Sequence, residues 1–109
     1  MNADKLLNQL NDKKKLINDK YGMWMKKIDE YRKEIENVST KYAKNSSEFI
    51  EKKIKMYNDK INELQKYANN WRDEQLKSTQ SWLNEQISNV NKQIESQTKQ
   101  IDDTINAFK

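Results

Sequence analysis

From Ala3 to Tyr42 the apolar residues recur at alternating spacings of three and four. Numbered as heptads, the a positions are Leu7, Lys14, Tyr21, Ile28, Ile35 and Tyr42, and the d positions are Ala3, Leu10, Ile17, Trp24, Tyr31 and Val38. On this reading Lys14 alone interrupts the seam, and the phase never slips. Such a stripe predicts a helix of roughly 60 Å laid along another helix, because a 3.5-residue period keeps one face turned towards a partner. The remainder of the chain reads as the cover for that seam.

Gly22 falls inside the stripe. A glycine there costs about 1 kcal/mol against alanine, so it calls for a reason: a helix end, a kink, or a close approach by another helix. The heptad phase is the same on both sides of it, which predicts one continuous helix. The next signal is Asn45-Ser46-Ser47-Glu48. Asn45 and Glu48 have capping-box spacing, and either serine is an alternative N-cap. The seam also slips here, restarting as Ile50, Ile54, Tyr57, Ile61, Leu64, Ala68 and Trp71. A cap together with a slip predicts a turn over 44–47.

A second slip lies between Trp71 and Leu83, across a stretch whose one aliphatic is Leu76. Asn69-Asn70 offers one turn, and the run Lys77-Ser78-Thr79-Gln80-Ser81 offers another, which is preferred. The alternative is a helix that passes straight through with a local change of winding. The last segment reads Leu83, Ile87, Val90, Ile94, Gln97, Ile101, Thr104 or Ile105, and Phe108, flanked almost wholly by Gln, Asn, Ser and Thr. That narrow seam has the pattern of a coiled coil.

A parallel in-register pairing of the first helix places Lys13 opposite Asn18, Lys20 opposite Met25, Lys27 opposite Arg32 and Glu34 opposite Ser39. None of these is an attractive ion pair. Tyr21, Trp24 and Tyr31 are also bulky for a two-stranded seam. The first helix therefore suits a bundle. The C-terminal segment differs: isoleucine at three a positions, with leucine or valine at two d positions, suits self-association. The expected architecture is all-α, an elongated antiparallel bundle or coiled coil of two or three long helices in a single domain, 1–109. Helix 1 would span about 3–44, helix 2 about 47–77 and helix 3 about 81–108. A long parallel coiled-coil oligomer is the alternative. A faint repeat relates Lys26-Lys27-Ile28, Tyr31, Ile35 and Val38 to Lys52-Lys53-Ile54, Tyr57, Ile61 and Leu64.

Composition strengthens the helical reading. There is no proline and one glycine, so the tight turns of β-hairpins lack their usual residues. Leu, Ile, Val and Phe make up 21 of 109 residues, which predicts a core one seam wide. The chain has neither cysteine nor histidine, so disulfides, cysteine metal sites and the commonest general base are absent. A single glycine cannot build a phosphate-cradling loop. Asp73-Glu74 and Asp102-Asp103 are adjacent on a helix and point apart, so they suit a solvated face better than a metal site. The expectation is a non-enzymatic protein with no cofactor and no metal.

Tyr21-Gly22-Met23-Trp24-Met25 is the most apolar local cluster. Tyr21 and Trp24 face the seam, Met23 falls at c and Met25 at e, an arc too wide for one partner helix. Either two helices pack there and Met25 fills a gap, or Met23, Trp24 and Met25 anchor a partner. Trp82, beside Leu83, is a second candidate anchor, as is Phe49. The basic runs Lys13-Lys14-Lys15 and Lys52-Lys53 are broken by acids and spread around the helix, so they read as solubilising. The net charge is only +4, and no one-sided stripe for nucleic acid can be drawn.

The sequence thus predicts an interaction module, as adaptor, assembly factor or inhibitor, that presents a long helical surface to another protein. The residues expected at the contact are Met23, Trp24, Met25 and Trp82. A homo-oligomeric structural part of a fibre, stalk or virion is the second reading. Weak binding to nucleic acid or an anionic membrane surface is the third. With no membrane-spanning run and no signal-peptide core at the start, a cytoplasmic or virion-associated location is expected.

Overall fold

The computed structural model describes residues 3–108 of the 1–109 segment; Met1, Asn2 and Lys109 lie outside the described residues. The protein is all-α. Helix α1 spans Ala3–Lys41 and helix α2 spans Ser47–Ala107, 39 and 61 residues long. Asp4 and Glu48 sit in the two first turns and Lys41 in the last turn of α1, each matching the sign of the helix end beside it.

Two compact units form. One comprises Lys15–Gln75, the hairpin around the turn. In it α1 and α2 run antiparallel, as the contacts show. Tyr42 meets Phe49, Tyr31 meets Tyr57, and Trp24 meets Tyr67 and Trp71, so partner numbers rise as α1 numbers fall. Ile28, Val38, Ile61 and Ala68 form the buried centre, with Ile17 near its edge. All are heptad positions of the sequence-derived seams, so in this unit the period sets the packing. The other unit joins the segment up to Lys14 with the segment from Leu76 onward. There Lys13 reaches Trp82, and Leu6, Leu10, Leu83 and Val90 are half-buried.

The turn falls over 42–46, close to the expected 44–47. Lys41 ends α1, three residues before the boundary expected at 44. Ser46, rather than Asn45, caps α2: its Oγ accepts a hydrogen bond from the Phe49 amide at 3.2 Å. That satisfies one of the four amides a helix start leaves without a partner. The Tyr42 and Phe49 rings, 5.3 Å apart, close the turn from the apolar side.

Two sequence expectations are corrected. The break expected at Lys77–Ser81, between a helix 2 ending near 77 and a helix 3 starting near 81, is absent: α2 is unbroken from Ser47 to Ala107. The inward positions continue through that stretch as Trp71, Gln75, Thr79, Trp82 and Gln86, with Thr79 buried. Two successive steps of four, 71 to 75 to 79, are what a four-residue insertion into a heptad produces. Such an insertion shifts the seam around the helix and leaves the helix intact. Polar residues carried the seam, so an apolar-only reading saw a gap. Asn69 does not cap a helix either, because its Oδ1 accepts the Tyr21 hydroxyl at 2.9 Å.

The second correction concerns the phase of α1. Leu7, placed at a, is exposed, whereas Leu6 is half-buried. Leu10, Ile17 and Tyr21 keep their expected inward places, and Leu6 takes the place of Leu7 in the first turns. Gly22 lies inside the continuous α1, as the unbroken phase around it predicts. It neither ends a helix nor admits a close neighbour: α1 passes through it without positive φ, and a Cβ built there would meet nothing within 4 Å.

Candidate interaction surface

The seam between the helices of the hairpin is aromatic. Trp24 sits edge-on to Tyr67 and to Trp71, with centroids 5.3 and 4.9 Å away. Tyr21 stands next to it, bonded to Asn69 and covered by the Arg72 guanidinium at 4.3 Å. Tyr31 and Tyr57 pack 6.0 Å apart. Aromatics fill this seam because a two-helix contact has no third element to complete a deep core, and large rings span the gap while leaving an edge in water.

Lysines roof these rings. The g column of α1 reads Lys13, Lys20, Lys27, Glu34 and Lys41. Lys20 lies over both Trp24 and Trp71, at 5.5 and 4.9 Å, and Lys27 over Tyr31 at 5.2 Å. Lys41 lies over Tyr42 at 5.7 Å. In the other unit Lys13 lies over Trp82 at 4.8 Å. From α2, Lys60 covers Tyr31, and Lys53 covers Tyr42 and Phe49. Each such contact is worth about 0.5–1 kcal/mol where water has access, and the aliphatic stems shield ring edges. Glu34 completes the column by pairing with Lys41 at 3.4 Å. Its carboxylate, and after it the Tyr42 phenol, hold the Lys41 ammonium above the ordinary pKa of 10.5. Glu48 pairs with Lys52 at 3.3 Å and Asp29 with Arg32 at 3.2 Å along the exposed helix faces.

The four residues expected at a partner contact lie in different settings. Trp24 is half-buried inside the aromatic seam, and Met25 beside it is half-buried. Trp82 is half-buried under Lys13, at an open groove shared with Gln9 and Asp12. Met23 points outward, 72% exposed, with the exposed Leu16 one heptad before it. The structure therefore does not bring the four into one patch.

A larger apolar surface lies elsewhere. From residue 91 to residue 107 every residue of α2 is exposed, as is Phe108 just after it. Ile94, Ile101, Ile105 and Phe108 keep 54%, 60%, 52% and 88% of their surfaces in contact with water, and Ile87 is exposed just before them. Ile87, Ile94, Ile101 and Phe108 are seven residues apart, so they stand in one row. The charged residues of this stretch, Glu85, Lys92, Glu95, Lys99, Asp102 and Asp103, all fall at b, c or f of the same heptad. The a, d, e and g positions from Leu83 to Phe108 carry no charge at all. The isoleucine spacing was visible in sequence; that the row stays uncovered was not, because a third helix was expected to fold it inward.

Among the described residues no helix is long and apolar enough to cross a membrane, and no three acidic side chains gather as metal ligands. No protein-family model, curated protein or solved structure matches the chain.

Proposed function

We propose that this protein is a non-enzymatic helical interaction module that docks a partner protein along the uncovered face of α2. The observation that supports this reading is the row Ile87, Ile94, Ile101 and Phe108, aliphatic or aromatic, exposed, and continued by Ile105. A row with this spacing buries its apolar area against another helix and against little else. Met23 and Leu16 on the outer face of α1 give a second, smaller contact of the same kind. The aromatic seam supports the module as a scaffold, since its rings and lysines are engaged with each other.

A photo-crosslinking amino acid in place of Ile94, compared with one in place of Lys92 on the charged face, tests the proposal in the protein's native cells. Protein adducts specific to position 94 are expected, with the crosslinked segment identified as helical by mass spectrometry and circular dichroism. Equal adducts at both positions, or none, would sink it. A structural role within a larger assembly is the second reading, favoured by the long uncharged a/d/e/g face; its sign is that position-94 adducts join more than two copies of the chain.

A further inference from the structure

We propose that the free face of α2 pairs, in parallel and in register, with the same face of a second copy of this chain. The proposal rests on the reading of that face as a docking surface and names its occupant.

Charge placement is the first argument. From Asn91 onward, where every described residue is exposed, the a, d, e and g positions through Phe108 carry no charge, so this face can meet an identical face with no like-charge contact, and it offers a foreign partner no charge to pair with. Partner selection through e and g charges, the usual device of hetero-pairing coiled coils, is missing. The e and g positions hold Asn84, Gln86, Asn91, Gln93, Thr98, Gln100, Ile105 and Ala107, and their amides serve as donor and acceptor at once. Copies of one surface are therefore mutually compatible.

The order of residues fixes the direction. In a parallel in-register pair Ile87, Ile94, Ile101 and Phe108 each meet their own counterpart, Gln97 meets Gln97 and Thr104 meets Thr104. Apolar layers stay dry, and the two Gln97 amides bond to each other. In the antiparallel pairing that aligns the same seam, Gln97 meets Ile94, Thr104 meets Ile87, and Ile101 meets Val90. Gln97 is then set against an aliphatic side chain with its amide's hydrogen bonds unmade in a buried layer, whereas Thr104 keeps its 2.8 Å bond to the Gln100 carbonyl in either direction. A single polar residue at a seam position is a known means of setting register. Isoleucine at a is the β-branched choice of two-stranded coiled coils. At the other end of the row Phe108 is the most exposed large apolar side chain.

The test uses the purified full chain. Light scattering after size exclusion, from about 1 to 100 μM, is expected to show the mass of two copies at the upper end. Ile94→Lys with Ile101→Lys should raise the dissociation constant at least about 100-fold, because two lysines would enter the seam on each strand. Both positions are uncovered in one chain, so helicity and melting of this variant at the dilute end should match the parent. Lys92→Asp, at f, should leave the mass unchanged. The chain has no cysteine, so Thr104→Cys supplies a sole thiol; mild oxidation should join two chains through it.

A monomer at every concentration overturns self-pairing and leaves the interaction-module reading to the position-94 crosslink. A double mass that survives the two lysines overturns the choice of face. A double mass with no Thr104→Cys crosslink, but with efficient crosslinking of a mixture of Ile87→Cys and Thr104→Cys, overturns the parallel direction. A mass of three or more copies overturns pairing of two.

Discussion

Replacing Gly22 by alanine should stabilise the protein. The residue lies in the middle of α1 with an ordinary negative φ, so alanine adopts its conformation without strain. A Cβ at that position meets no atom within 4 Å, so nothing has to move. Alanine exceeds glycine in helix propensity by about 0.8–1 kcal/mol, largely because the unfolded chain with alanine has fewer conformations to give up. No packing term opposes this. For a chain of this size about 1 kcal/mol corresponds to a rise in Tm of roughly 4–8 °C. Thermal and urea unfolding followed by circular dichroism at one low protein concentration would measure it, and Gly22→Pro serves as the contrast, with a loss of about 3 kcal/mol or more. An unchanged or lowered Tm in Gly22→Ala would refute the reasoning. It would mean that the glycine admits a bend or a close neighbour that the straight helix does not contain.

Ser46→Ala removes the cap of α2 and should cost about 1 kcal/mol, read as a lower urea midpoint with an unchanged m-value. Trp24→Ala removes the ring that touches Tyr67 and Trp71; since it is half-buried, a loss of about 2–3 kcal/mol is expected, together with most of the near-ultraviolet dichroism. Survival of both would contradict the seam described above. The Lys41 ammonium is favoured by Glu34, so its folded pKa lies above the unfolded 10.5. Any stability from that pair is present below pH 10.5 and disappears as pH rises through the folded value. Glu34→Gln should return the Lys41 titration, followed by NMR of its side chain, towards 10.5.

The hairpin was legible in the sequence because its signals agree. Heptads from Tyr21 to Tyr42 and from Ile50 to Trp71, with a serine cap between them, admit few other arrangements. What escaped was carried by polar residues. Thr79 is buried and Gln75 half-buried on the inward side of α2, yet neither counts as core in a hydrophobic pattern, so a continuous helix looked broken. Leu6 and Leu7 are adjacent and chemically alike, and only the partner decides which one turns inward. The contact residues suffered in the same way. Tryptophans and methionines stand out in a polar sequence, and Trp24 and Trp82 drew the eye as anchors for a partner. Their rings are instead met by Tyr67, Trp71 and Lys13 of the same chain.

The turn at 42–46 also sets an order of events in time. The Tyr42–Phe49 contact and the Ser46 cap join residues only a few positions apart, so closing that loop costs little chain entropy. Tyr31 can then find Tyr57, and Trp24 can find Tyr67 and Trp71, each contact shortening the loop that the next must close. The hairpin is therefore expected to zip outward from its turn, which φ-values higher at Tyr42 and Phe49 than at Trp24 would show. Partners that are remote in sequence, such as Tyr21 and Asn69 at a separation of 48, meet late on the way in and part early on the way out.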